Sequence, residues 1–465
     1  MTAVSPSEPV DPVEPVELTA PVGGLTPVLG VKAAILLTIS CITPASSLFI
    51  IVPTLLASQG SGVVLTILAG VLVSVGVGAC YAELGTRTPS SGGEYAMVTH
   101  ALGRRLGWLT FVLTCATLVV IPPVIALGTA DYLAPVLSLD RATTGAVVML
   151  LATATAVLDI KANAIVTSAF LAIETLAAAV VAYLGFSRSE RSVSTLWHPQ
   201  ALDSAGNLAP FSLGILLSGL AVAMFVANGF GTASYLAEEI IDPRRNVARA
   251  VFGSLFVGSL IIVIPTAATV LGVADLRDLA TGTFPDFVTA WGGSRVSAAI
   301  SVGIAVAILN AVIVMVLQNG RVIYASARDR AWPDAVNRRL SRLHPRFNSP
   351  AAATLAISLP GALLAYLVDI ESLLGVTSVT VSAVYLLLAL AGLAVRRTPH
   401  AGWRMPLWPL PSVLVILGVG YALLESARAD LVIVAGIVLA ALAYDQLYLQ
   451  PRRDTHFLVD AKEDR

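Results

Sequence analysis

The sequence predicts an all-α polytopic membrane protein of about twelve transmembrane helices, and three observations lead there. Only 12% of the 465 residues are charged, 56% are hydrophobic, and the mean hydropathy is +0.84. A soluble domain carries about 25% charged residues, so this chain has too few to cover a water-facing surface. Second, its apolar runs are about 20 residues long, the length that crosses a ~30 Å hydrocarbon core as helix. Lipid offers no partner for backbone groups, so a span must be a helix or part of a closed barrel. Barrel strands of about ten alternating residues are not evident. Third, the positive charges between the runs are distributed unevenly.

Residues 1–29 are rich in Pro, Val and Glu and read as a disordered cytoplasmic tail. The tail lacks the basic start of a secretory signal. Apolar segments follow at about 31–55, 61–82, 107–135, 144–160, 162–186, 212–237, 248–272, 296–322, 350–368, 372–395, 407–424 and 429–448. With the N-terminus inside, the inner segments hold 22 of the 28 lysines and arginines, as the positive-inside rule expects. An odd number of spans would scramble that bias, so both termini are expected to be cytoplasmic. The chain divides into a core at 30–395, helices 11 and 12 at 396–449, and a C-terminal tail at 450–465.

Two spans carry helix breakers at mid-depth. Helix 1 reads Thr43-Pro44-Ala45-Ser46-Ser47, where Pro44 removes a donor and clashes with the preceding turn. Helix 6 reads Ala227-Asn228-Gly229-Phe230-Gly231, a poor helix interior. The breaks sit five spans apart. Helix 3 carries Pro122-Pro123, and helix 8, five spans later, carries Asn310. Interrupted helices at matching places in two halves point to an inverted-repeat transporter, with repeats at about 30–187 and 210–395. A small solute would lie between the breaks, where half-helix ends meet its charges. The bland reading is that prolines and glycines are common in membrane helices as kinks and packing sites.

The stretch Tyr81-Ala82-Glu83-Leu84-Gly85 with Pro89-Ser90-Ser91-Gly92-Gly93-Glu94-Tyr95, the run from Gly229 to Glu239 with Asp242-Pro243-Arg244, and Gln318-Asn319-Gly320-Arg321 with Ala327-Arg328-Asp329 carry a likeness. Over roughly residues 30–395 the chain resembles the amino acid–polyamine–organocation (APC) superfamily of permeases. The resemblance implies a five-plus-five inverted-repeat fold, LeuT-like, with two appended helices. It implies alternating-access transport of amino acids or related amines, by ion symport or exchange. It places the substrate's carboxylate and amino groups on Thr43 to Ser47 and Ala227 to Gly231. Many members have a Gly-rich run where this chain has Pro-Ala-Ser-Ser, and an aromatic ring where Ala227 stands.

Glu174 is the one ionisable side chain deep within an expected span. A charge there costs about 2.5–3.5 kcal/mol on insertion scales, so the group must be neutral, paired or wetted. Asn163, Thr167 and Glu174 share one stripe of helix 5 and should face the bundle interior. Glu174 is therefore the candidate for a coupling proton, the alternative being a structural carboxylate bonded to a broken helix. Asn310 is expected in the solute site because a buried amide needs partners. Ser378, Ser382 and Tyr385 form a stripe on helix 10. Arg321 at the cytoplasmic end is expected to pair with Glu83, Glu238 or Glu239 as a gate. The two broken segments contain no carboxylate, which favours a small zwitterion over a polyamine.

Net charge of −1 gives no argument for nucleic acid. Three scattered cysteines and five histidines in polar segments show no metal-ligand spacing, and no cofactor is expected. A membrane-embedded enzyme would need a nucleophile and base or metal ligands in the spans. A transporter-like sensor would carry a large output domain. The expected partners are the lipid bilayer of the cell membrane, a small-molecule substrate and a coupling proton.

Overall fold

The computed structural model describes residues 25–133, 137–158, 160–202, 207–368, 370–397, 402–424 and 426–459. Most of the expected N-terminal tail and the last six residues lie outside them, as does the Asn163 side chain.

Helix α1 (Val31–Ile42) ends at Thr43, whose φ of 52° and ψ of 56° are left-handed. That conformation is rare for a β-branched residue and needs a surrounding structure to hold it. Pro44 opens the next piece, α2 (Pro44–Ser46), at a first-turn position where its missing donor is no loss. The break expected at Pro44 thus centres one residue earlier. Five residues of π-helix, Ser47–Ile51, lead into α3 (Val52–Gln59).

Helix α4 (Val63–Arg87) follows, then the short α5 (Glu94–Leu102) and the long α6 (Arg104–Leu133), which stays helical through Pro122 and Pro123. Helices α7 (Arg141–Ala156) and α8 (Ile160–Ser187) complete the first half. A two-stranded antiparallel hairpin, β1 (Gln200–Leu202) and β2 (Leu208–Pro210), departs from the expected all-helical chain. Its carbonyl at Gln200 accepts from the Ser61 hydroxyl at 3.2 Å.

Helix α9 (Leu213–Val226) ends at the second break. Gly229 takes φ 112°, and ten residues of 3-10 helix, Phe230–Glu239, follow. Runs of 3-10 helix beyond three or four residues are uncommon and mark strained or hinge segments. Helix α10 (Pro243–Gly272), α11 (Phe284–Gly292), α12 (Ser294–Arg328), α13 (Asp334–Leu340), α14 (Ala351–Leu367), α15 (Ile370–Ala394), α16 (Leu410–Leu424) and α17 (Arg428–Tyr444) complete the chain.

Among the described residues, seven helical stretches are long and apolar enough to cross a membrane. The bent pair Leu213–Leu220 and Val222–Glu239 makes an eighth if read as one span, and α7, α14 and α16 are shorter apolar helices. The chain is therefore a mostly helical, multi-pass membrane protein. The apolar window of α12 is 78% buried and that of Arg428–Arg452 is 17% buried, so α12 is central and α17 peripheral.

Two contacts close the end of the bundle where α1 starts. Leu29 pairs with Ile240, and the Val28 and Leu29 amides donate to the Glu239 carbonyl, tying the start of α1 to the end of the 3-10 segment. The chain after α17 also docks there. Phe457 is buried against Tyr95 and Trp108, and its amide donates to the Arg330 carbonyl. The C-terminal segment is thus packed as far as the structure describes it, with the Phe457 ring between Tyr95 of α5 and Trp108 of α6.

Candidate functional site

The two breaks meet. A Cβ on Gly229 would lie 2.6 Å from the Cys41 carbonyl oxygen and 2.9 Å from the Ile42 Cα. Only glycine allows that approach of one backbone to the other. Beside this crossing lies a cavity of about 420 Å³, walled by α1, α4, α6, α9, α12 and α15. That size suits a small solute.

Of the expected substrate residues, Thr43, Ser46, Ser47, Asn228, Gly229 and Gly231 line the cavity. Pro44, Ala45, Ala227 and Phe230 lie in the same breaks but behind its wall. Asn310 does not line it. Its amide is fully buried, with no hydrogen-bond partner among the described residues. The polar wall of α12 is instead Gln318 and Asn319, two helical turns further on. From the helix 10 stripe, Ser378 and Tyr385 reach the cavity and Ser382 does not.

Asn228 is anchored by the Tyr385 hydroxyl, which donates to its Oδ1, while Gly229 N donates to the same oxygen at 2.6 Å. Cys41 Sγ donates to Gln318 Oε1 at 3.0 Å, leaving Gln318 Nε2 without a partner among the described residues. Ser46 Oγ is likewise buried and unpartnered. Unspent polar atoms in a wall that is otherwise largely apolar are where a solute would be oriented.

Glu174 projects from α8 to the break in helix 1. Its Oε1 accepts from the Ala45 amide at 2.6 Å, its side chain is fully buried, and its Oε2 has no partner among the described residues. A carboxylate at the start of a helical segment satisfies an orphan donor there. Glu174 does not line the cavity, and its bond occupies the Ala45 amide. Thr167, on the same stripe, is also fully buried.

The cavity is open at one end and sealed at the other. Thr54, Val222 and Ser378 line it and are exposed. At the opposite end, Arg321 and Glu239 form a two-bond pair at 2.7 and 3.3 Å, almost wholly buried. Of the three acids expected to meet Arg321, Glu239 is the partner. Glu238 pairs instead with Arg328, at 2.7 and 2.6 Å. Glu83 accepts from Arg87 at 3.1 Å and from the Met405 amide at 3.0 Å, with Arg396 at 3.3 Å. Each of these acids therefore braces a different joint of the closed end.

One carboxylate that sequence reasoning passed over lines the cavity. Glu94, the first residue of α5, accepts from Tyr81 at 2.5 Å and from Tyr235 at 2.7 Å, both on Oε1. Its Oε2 is buried and unpartnered among the described residues. Burial pushes the Glu94 carboxyl above the ordinary range, against the lowering effect of the Tyr235 and Tyr81 hydroxyls. Glu94 sits in the stretch that carried the family likeness, but outside every apolar run. Only the folding of α5 back into the bundle brings it to the cavity.

Comparison with known proteins agrees with this architecture. A protein described as an uncharacterized transporter of Mycobacterium tuberculosis is 27% identical over 438 residues, covering 92% of this chain and 93% of the relative. The large neutral amino acids transporter small subunit 2 of Oryctolagus cuniculus is 25% identical over 377 residues, 77% of this chain and 66% of its own. The vacuolar cationic amino acid transporter 4 of Arabidopsis thaliana is 26% identical over 388 residues, 77% of this chain and 62% of its own. The family model described as amino acid permease matches residues 29–441, and with that match over nearly its whole length the chain belongs to this family of the APC superfamily.

Proposed function

We propose that the protein is a secondary active transporter that carries an amino acid or related small amine across the cell membrane by alternating access. The observation that carries this reading is the cavity between two apposed helix breaks, open at one end and sealed at the other by buried ion pairs. Family membership and relatives named as amino acid transporters support the substrate class. In this reading the chain crosses the membrane twelve times, as two inverted five-helix repeats and two appended helices, with both termini in the cytoplasm. The sealed end, where the arginines cluster, is then the cytoplasmic gate, and the cavity faces outward.

Coupling is assigned to a proton taken up and released at Glu174. The side chain is buried at the hinge of helix 1 with one oxygen unpartnered, so a change of its charge acts directly on the Ala45 amide and the broken segment. The same hydrogen bond also fits a purely structural carboxylate, and the carrier would then be an exchanger.

The test is uptake of labelled amino acids and amines into proteoliposomes without sodium, with and without an inward proton gradient. Symport predicts accumulation that collapses with the gradient and is lost in Glu174→Gln. Uptake that needs preloaded internal solute and ignores the gradient would make it an exchanger. No uptake by folded protein would remove the transport reading.

A further inference from the structure

Among the described residues, the glutamates Glu83, Glu94, Glu238 and Glu239 lie near the closed end of the bundle, and all of them but Glu94 have arginine partners. Glu83 has Arg87 and Arg396, Glu238 has Arg328, and Glu239 has Arg321. Glu94 has hydroxyl partners, Tyr81 and Tyr235, both on one oxygen. It alone of the four lines the cavity, and among the described residues it is the one carboxylate there. Among the described residues, no lysine, arginine or histidine lines the cavity. An ionised carboxylate offers about four acceptor positions, and only two are taken.

Aromatic rings surround it. Tyr81, Tyr235 and Tyr385 line the same end of the cavity, and the Tyr81 and Tyr385 rings meet edge to face at 6.3 Å. A carboxylate among tyrosine rings is the chemistry that recognises an ammonium or guanidinium, through charge-assisted hydrogen bonds and cation–π attraction. The α-amino and α-carboxylate groups of an amino acid are balanced against each other and against the broken helices. A single additional acid then matches a single additional positive charge. Tyr385 links the two regions, because its hydroxyl donates to Asn228 at the break while its ring packs on Tyr81, whose hydroxyl holds Glu94.

We propose that Glu94 and the tyrosines around it form a cation-recognition subsite, making the preferred substrate an amino acid or amine with a positively charged side chain. This rests on the transport reading above and reverses the small-zwitterion expectation from the broken segments alone. Glu94 is the specificity-determining residue. Burial favours its neutral form, and an arriving cation supplies the charge that stabilises the carboxylate.

The experiment is paired competition against uptake in proteoliposomes of the full chain, using isosteres that differ in side-chain charge: lysine against norleucine, and arginine against citrulline. Wild type is expected to prefer the cationic member of each pair by about tenfold or more, or about 1.4 kcal/mol. Glu94→Gln is expected to collapse that ratio towards one, and Glu94→Asp, which keeps the charge, to retain most of it. Equal or inverse preference in wild type would overturn the proposal while leaving transport intact. So would an unchanged ratio in Glu94→Gln. Absence of uptake of every amino acid by folded wild type would instead remove the transport reading and this proposal with it.

Discussion

Replacing Gly229 with alanine tests the crossing of the two breaks. Two costs add. At φ 112° an L side chain is strained, at about 1–2 kcal/mol. The new Cβ would also sit 2.6 Å from the Cys41 carbonyl oxygen and 2.9 Å from two more atoms of that backbone. These are backbone neighbours that cannot rotate away, so relief requires helix 1 and helix 6 to separate, an overpacking cost of about 1–3 kcal/mol. The expected loss is about 2–5 kcal/mol. Two other glycines separate these terms. Gly103 has φ 95° with nothing within 4 Å of its Cβ position, so Gly103→Ala pays for conformation alone. Gly420 lies inside α16 with open space around it, so Gly420→Ala should gain about 0.5–1 kcal/mol. Thermal melting of the purified protein should rank them Gly229→Ala lowest, Gly103→Ala intermediate and Gly420→Ala at or above wild type, with amino acid uptake lost only in the first. A Gly229→Ala protein that melts and transports like wild type would refute the apposition of the breaks.

Other perturbations follow from the closed end. Glu239→Gln leaves Arg321 buried without its ion pair, an expected cost of about 3–5 kcal/mol in the same melt, whereas Arg321→Met combined with Glu239→Leu should recover much of it. The raised Glu94 carboxyl gives a pH signature. Its contribution to stability is present below the ordinary value of 4.5 and is lost as pH rises through the higher value in the folded state, so wild type should lose stability relative to Glu94→Gln as pH rises above 4.5. A pH-independent difference in melting temperature would contradict this. Phe457→Ala removes a buried ring from the docked C-terminal segment, at about 3–5 kcal/mol, and limited proteolysis should then cut the chain near residue 450 before the bundle melts.

Much of the architecture was legible because lipid leaves few choices. Each apolar run had to close its backbone hydrogen bonds within itself, so length and hydropathy located the helices within a few residues. The breaks were legible because proline, glycine and asparagine are poor helix interiors, although the left-handed residue proved to be Thr43 and Pro44 starts the next segment. The pairing of Arg321 followed from its place at a helix end, but choosing Glu239 over Glu83 and Glu238 needed three dimensions. Asn310 and Gln318 show the limit within one helix. Both are buried polar residues on α12, and depth along the bundle decides which faces the cavity. Glu94 was invisible for a different reason. It is polar, lies in a polar connection, and becomes a cavity residue only through the tertiary placement of α5. The packing of Phe457 was hidden in the same way, since a single aromatic in a charged tail carries no periodic signal.

The most direct test of the central claim fills the cavity without touching its polar groups. Ile121 lines it from α6 and is partly exposed, so Ile121→Trp should occupy the solute's space while leaving both helix breaks and the ion pairs of the closed end in place. The measurement is uptake of labelled amino acids by proteoliposomes holding wild type or Ile121→Trp at equal amounts of folded protein. The account predicts saturable uptake by wild type and its loss in the variant with the melting temperature retained. Undiminished uptake by a folded Ile121→Trp protein would place the solute path elsewhere and contradict the account.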